Sequence, residues 1–140
     1  MSNLSQPQQL SVVVPVRNEQ DNVESLISEI NAALQLVIQH EIIYVDDGST
    51  DATYAKLRSL QSQYSQLRIV RYAKSCGQST AVRTGVKFAR YDWIATLDGD
   101  GQNNPADIPK LLAALTQGVN LLEAIGGRVA VTRGLNASLQ

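Results

Sequence analysis

Sulfur and large aromatic residues are scarce in this sequence, which has one cysteine, one methionine, one tryptophan and one phenylalanine among 140 residues. With Cys76 alone there is no internal disulfide to staple the fold, and the chain suits a reducing compartment. The single histidine, His40, has no partner histidine and reads as a helix-terminal or solvated residue rather than a metal ligand. Long apolar runs are also lacking. The longest are a few residues, such as Val12 to Val14, far below the roughly 18 or more that cross a bilayer. Residues 1–9 are polar and Gln-rich without the basic-then-apolar order of a signal peptide, so they read as a flexible tail on a cytoplasmic protein. Net charge is scarce too: 12 basic against 13 acidic residues leave −1, which excludes a nucleic-acid groove or a polybasic membrane patch. Charged chemistry here must be local.

What is present is a 44% hydrophobic chain, enough to bury the core of one domain. Leu10 to Val16 is a β-branched apolar run that stops at Arg17-Asn18-Glu19, the pattern of a buried strand entering a loop. Val23, Leu26, Ile27, Ile30, Ala33, Leu34, Val37 and Ile38 recur every three or four residues and predict an amphipathic helix starting near Asn18 or Asp21. A second strand over Glu41 to Asp46 runs into Asp47-Gly48-Ser49-Thr50-Asp51, where Asp51 suits a helix cap, and a second helix extends to about Tyr64. A third strand (Leu67 to Tyr72), a helix (Ser79 to Arg90), a fourth strand (Trp93 to Leu97) and a helix from Ala106 to Thr116 follow, the last with Pro105 at its first turn. Leu121 to Ile125 is expected to be a fifth strand, and residues 126–140 an irregular tail. Strands alternating with helices, without an internal repeat, imply an α/β fold: a mostly parallel sheet with helices on both faces.

In such a sheet ligands bind beyond the carboxyl ends of the strands. Three strand ends are acidic: the first delivers Glu19, the second Asp46 and Asp47, and the fourth Asp98 and Asp100. Five carboxylates along one edge repel one another, and a hard divalent ion with oxygen ligands, Mg2+ or Mn2+, would offset the repulsion and bridge the phosphates of a nucleotide. Gly99 between Asp98 and Asp100 allows close backbone approach, and Gln102 adds a neutral oxygen. By itself Asp-x-Asp is more often a solvated turn or a helix cap. A calcium-binding EF-hand is excluded, because its sixth position holds Asn103 instead of Gly and its twelfth holds Pro109 instead of Glu.

Val13-Val14-Pro15-Val16-Arg17-Asn18-Glu19, Val45-Asp46-Asp47-Gly48-Ser49-Thr50-Asp51 and Leu97-Asp98-Gly99-Asp100-Gly101-Gln102 resemble, in order and spacing, three motifs of the family 2 glycosyltransferases. Gly77 to Gly85 resembles a fourth segment, and Gln102 with Pro105 is similar to the dolichol-phosphate mannose synthase and polyprenyl-phosphate sugar transferase group. The resemblance covers about Leu10 to Gly118 and implies a Rossmann-like GT-A fold, a nucleotide-sugar-binding domain over residues 10–125. It further implies that Pro15, Glu19 and Asp47 line the base and ribose, with Arg17 and Asp46 in the same donor-binding set. Arg83 then lies near the diphosphate, and Asp98, Asp100 and Gln102 serve a Mg2+ or Mn2+ ion, with Asp98 and Asp100 the catalytic pair. The implied reaction is inverting transfer of a sugar from a nucleotide-diphospho-sugar, such as GDP-mannose or a UDP-sugar, to a polyprenyl phosphate. Peripheral membrane association at the inner face and a homodimer are compatible with it.

Members of that group continue for another hundred residues or more, and Gly126-Gly127-Arg128-Val129 is only faintly similar to the start of their next segment, so a C-terminally truncated domain is expected. The alternative is an inactive domain that binds nucleotide-sugar or a protein partner only. Arg17, Lys74 and Arg83 read equally as surface charges, and Glu19 as a helix cap. A phospho-acceptor receiver domain is disfavoured because its acidic pair follows the first strand, whereas Asp46 and Asp47 follow the second. A sugar nucleotidyltransferase would require a Gly-rich basic loop where Pro15 to Glu19 stands.

Overall fold

The computed structural model describes residues 7–116 and 129–133. In chain order the elements are β1 (Gln9–Val16), α1 (Val23–Leu34), β2 (Gln39–Asp47), α2 (Thr53–Leu60), β3 (Leu67–Tyr72), α3 (Gln78–Phe88), β4 (Trp93–Leu97), α4 (Asp107–Thr116) and β5 (Val129–Arg133). They build one sheet in the order β3-β2-β1-β4-β5, parallel except for β5, which runs antiparallel to β4.

Alternation along the strands sorts the core into two layers. Leu10, Val12, Val14, Val16, Ile42 and Tyr44 pack with the buried stripe of α1 (Val23, Leu26, Ile27, Ile30, Leu34), with Leu57 and Leu60 of α2, and with Ile108, Leu111, Leu112 and Leu115 of α4. Each fully buried side chain of this kind contributes roughly 1.5–3 kcal/mol relative to exposure. On the opposite face, Ile43 and Val45 pack with Ala81 of α3. Gly85 lets α3 lie tightly on the sheet, since a Cβ there would collide with the Val13 side chain and stand 3.2 Å from Val45.

This division fixes the topology. The chain steps outward from β1 to β2 to β3 with α1 and α2 on one face. α3, on the other face, then carries it back to β4 on the far side of β1. The order of strands therefore reverses between β1 and β4, and their carboxyl ends leave a crevice there.

At the amino ends of the strands a different carboxylate is enclosed. Glu41, 3% exposed, accepts hydrogen bonds from Ser11 Oγ (2.6 Å), Arg68 Nη1 (2.8 Å) and the Arg90 backbone N–H (2.7 Å). Arg68 also donates to the Phe88 carbonyl, and the Tyr91 N–H donates to Ser11 Oγ, so this cluster ties β1, β2 and β3 to the α3–β4 connection.

Two sequence expectations need amendment. Residues 126–140 are not irregular throughout, because Val129–Arg133 forms β5. Its register on β4 buries Val129 and Val131, a pairing that no local signal announces. The strand expected at Leu121–Ile125 lies outside the described residues. Of the two starts expected for the first helix, the one near Asp21 is the closer, since α1 begins at Val23; Asn18 takes a left-handed backbone (φ 55°) and serves the neighbouring loop instead. Residues 35–38, expected to prolong that helix, form its closing turn.

Candidate active site

The crevice between β1 and β4 is a cleft of about 400 Å3 lined by Pro15, Val16, Arg17, Glu19, Asp47, Ser75, Gly77, Gln78, Asp98, Gly99 and Asp100. Its walls are the ends of β1 and β2 and the segments that follow β1, β3 and β4, so residues far apart in sequence meet because their strands are adjacent and parallel.

The loops after β1 and β2 are fastened together. Asn18 Oδ1 accepts the N–H groups of Thr50 (2.7 Å) and Asp51 (3.3 Å), and the Asn18 N–H donates to Ser49 Oγ (2.8 Å). A left-handed residue is unusual outside glycine, but Asn tolerates it and its short amide reaches these groups. Beside it, the Glu19 N–H donates to Thr53 Oγ1 (2.9 Å), while Glu19 Oε1 accepts from Asn22 Nδ2 (2.7 Å), which holds the carboxylate at the cleft. Asp51 takes its expected place at the start of α2, accepting from Thr53 N–H (2.9 Å) and Thr53 Oγ1 (2.6 Å).

Asp47 anchors the loop after β3. Its carboxylate accepts from Cys76 N–H (2.7 Å), Ser75 Oγ (2.8 Å) and Gly77 N–H (3.0 Å). Desolvation alone would raise its pKa, but these three donors, with the Arg17 charge nearby, outweigh it and hold the carboxyl below the usual range. Gly48 makes the close approach possible: at φ 73° its position has no room for a side chain, because a Cβ would stand 2.5 Å from Ser75 N.

The loop after β4 is held by its neighbours. Gly99 sits where a Cβ would collide with the Val16 side chain and lie 3.0 Å from the Pro15 carbonyl, so the Asp98-Gly99-Asp100 backbone lies directly on the end of β1. Asp98 Oδ1 accepts from Gln78 Nε2 (2.8 Å), Asn103 Nδ2 donates to the Asp98 carbonyl, and Asp100 Oδ1 accepts from the Gln102 N–H (3.0 Å).

Of the residues singled out from sequence, Pro15, Arg17, Glu19, Asp47, Asp98 and Asp100 share the cleft. Asp46, Arg83 and Gln102 are not among its lining residues. Asp46 is fully buried, accepts the Ser49 N–H (3.0 Å) and lies 3.9 Å from Arg71 Nε. Neighbouring strand residues point to opposite faces, which separates it from Asp47. Arg83 is exposed on α3, and the Gln102 side chain is exposed beyond the loop. Among the described residues, no three His, Cys, Asp or Glu side chains converge into a ready-made ion cage. Ser75, Gly77 and Gln78 were not anticipated as lining; the glycine-led segment from Gly77 was the available signal.

Residues 11–133 match glycosyl transferase family 2. A dolichol-phosphate mannosyltransferase of Pyrococcus furiosus is 41% identical over 119 residues, 85% of this chain and 33% of that protein. A dodecaprenyl-phosphate galacturonate synthase of Rhizobium johnstonii is 42% identical over 76% of this chain and 32% of its own length. The chain thus spans about a third of the length of these curated relatives. Among solved structures, a mannosyltransferase from Pyrobaculum calidifontis in complex with GDP-Man and Mn2+ superposes with a TM-score of 0.71 at 18% identity, covering 97% of this chain and 47% of that one, a likeness of fold. Glucosyl-3-phosphoglycerate synthase from Mycobacterium tuberculosis, with Mn2+, UDP and phosphoglyceric acid, gives a TM-score of 0.65 at 26% identity, covering 82% and 41%. From its motifs, its GT-A architecture and the match over most of its length, the chain belongs to glycosyl transferase family 2.

Proposed function

We propose that this chain carries the donor site of an inverting glycosyltransferase that moves a sugar from a nucleotide-diphospho-sugar to a polyprenyl phosphate. The observation that carries the reading is the meeting of Asp47, Glu19, Arg17 and the Asp98-Gly99-Asp100 turn around one cleft at the strand-order reversal. The two curated relatives are named as a dolichol-phosphate mannosyltransferase and a dodecaprenyl-phosphate galacturonate synthase, which supports that class of acceptor.

The geometry is compatible with the roles that the family resemblance implies. An ionised carboxylate has about four acceptor sites. Asp47 uses three on the loop after β3, leaving one for a base or ribose donor. Pro15 offers an apolar wall, and Arg17 stands where a diphosphate would gain a counter-charge. Asp98 and Asp100 also line the cleft, and two carboxylates suit a hard divalent cation. Two carboxylates, with the rest of the coordination drawn from substrate phosphates and water, are the usual protein share of a Mg2+ site. The Mn2+ in the mycobacterial synthase supports that assignment. Such an ion supplies Lewis-acid stabilisation of charge on the departing diphosphate.

In the transfer, an acceptor phosphate oxygen forms the bond to sugar C1 as the bond from C1 to the diphosphate oxygen breaks, releasing nucleoside diphosphate. The attacking oxygen is already anionic near neutral pH, so no proton leaves it and no general base is demanded of the chain. A polyprenyl acceptor also sets the reaction at a membrane surface. No helix among the described residues is long and apolar enough to cross a bilayer.

The test is calorimetric titration with GDP, UDP, GDP-mannose and UDP-glucose, each with Mn2+ and with EDTA. Metal-supported binding of one nucleotide is expected, and Asp100→Ala should weaken it about 10–100-fold with the unfolding midpoint retained. Folded protein that binds none of the four would refute the donor site.

A further inference from the structure

Gln78 is the first residue of α3 and has no role in the reaction as set out above. Its side chain nonetheless meets one of the two carboxylates assigned to the cation, donating Nε2 to Asp98 Oδ1 at 2.8 Å. The three residues before it, Ser75, Cys76 and Gly77, all donate to Asp47. Asp47 ends β2, Asp98 follows β4, and β1 lies between those strands. Two strand spacings are about 9–10 Å. The four-residue segment Ser75–Gln78 therefore straps across the end of β1, gripping one cleft carboxylate through backbone and hydroxyl donors and the other through an amide. Gly77, at φ 98°, lets the chain turn from the first grip into the helix that presents the second.

We propose that Gln78 is a positioning residue for the donor's phosphate end. Its amide sets the orientation of the Asp98 carboxylate, and the anchoring of the three preceding residues to Asp47 makes that orientation depend on an intact nucleoside end. This inference rests on the donor-site reading. An amide suits the task because it is neutral: it orients Asp98 without cancelling the negative charge that a divalent cation requires. Lysine or arginine there would orient the carboxylate and also neutralise it.

The experiment compares wild type, Gln78→Ala and Gln78→Glu by titration with GDP-mannose and UDP-glucose, each with Mn2+ and with EDTA. Removing a partner that orients a metal-binding carboxylate typically costs about 10–100-fold. Gln78→Ala should lose that much of the Mn2+-supported affinity while binding in EDTA changes by less than about threefold. Gln78→Glu places a second carboxylate beside Asp98, so binding of the anionic diphosphate in EDTA should fall and dependence on Mn2+ should steepen. A loss of equal size with and without Mn2+ would mark a merely structural residue and overturn the proposal, as would unaltered Mn2+ dependence in both variants. Because Gln78 is exposed, both variants should keep the wild-type unfolding midpoint. The bond itself is read without ligand: the Gln78 side-chain amide pair in a 1H–15N spectrum, assigned by its absence in Gln78→Ala, should move in Asp98→Ala. An unmoved pair refutes the positioning role alone. Wild-type protein that binds neither sugar nucleotide, with the amide pair responding as expected, refutes the donor-site reading and with it the use assigned to the strap.

Discussion

The two edges of the sheet hold carboxylates under opposite conditions. At the amino edge Glu41 is enclosed and met by a cation, since Arg68 lies 2.8 Å away with Arg90 Nε at 3.9 Å. At the carboxyl edge the direct hydrogen bonds to Asp47 come from backbone N–H groups and a serine hydroxyl, with the Arg17 charge acting from nearby, and Asp98 accepts from a glutamine amide. A charge met by an opposite charge is finished as chemistry and serves the fold. A charge whose direct hydrogen bonds come from dipoles keeps more of its field and can still act on a ligand. Which groups hold a carboxylate therefore says more about its use than how deeply it is buried.

Breaking the amino-edge cluster should give the largest effect on stability. Glu41→Ala leaves the Ser11 hydroxyl and the Arg90 N–H without their acceptor and Arg68 without its counter-ion, at a cost of about 2–4 kcal/mol. Urea unfolding should show that loss, and donor binding by the folded fraction should be unchanged; a fall in intrinsic affinity would mean that the two edges are not independent. Asp47→Asn probes the other edge through pH. Folding lowers the Asp47 pKa, so its contribution is complete above the unfolded value of about 3.9 and is lost as pH falls through the lower folded value. The stability gap between wild type and Asp47→Asn should therefore be level near neutral pH and close on acidification below about pH 4. A gap that widens in acid would reverse the assigned sign. Asp51→Ala should be the smallest change, about 1 kcal/mol from loss of the bonds to Thr53. Because Asp51 belongs to the carboxyl edge but serves its own helix, nucleotide titration should find the same affinity as wild type.

Much of the scaffold was legible locally. Leu67–Tyr72 and Trp93–Leu97 form strands at their expected bounds because short β-branched and aromatic runs stand between clear loop signals. The acidic strand ends were legible for the same reason: position after a strand fixes which edge a residue reaches. What escaped depended on partners distant in sequence. Glu41 lies 27 residues from Arg68 and 49 from Arg90, and nothing in the segment around it distinguishes its carboxylate from a solvated one. β5 has two buried valines and an exposed end, too little alternation to read without its neighbour β4. The separation of Asp46 from Asp47 was available in principle, since adjacent strand residues cannot both face one cleft. The strap position of Gln78 was not, because it requires knowing that β1 lies between β2 and β4.

The crowding at Gly48 has a practical consequence for anyone redesigning the protein. Ser75 N and the Lys74 carbonyl carbon would lie 2.5 and 2.8 Å from any Cβ placed there, so the main-chain path of Lys74–Ser75 is keyed to a residue with no side chain. A library that varies the side chains of residues 74 to 78 while keeping Gly48 and Asp47 would sample new linings on one fixed trace. One that varies Gly48 would shift the wall itself, and a change in ligand preference could no longer be traced to a single contact.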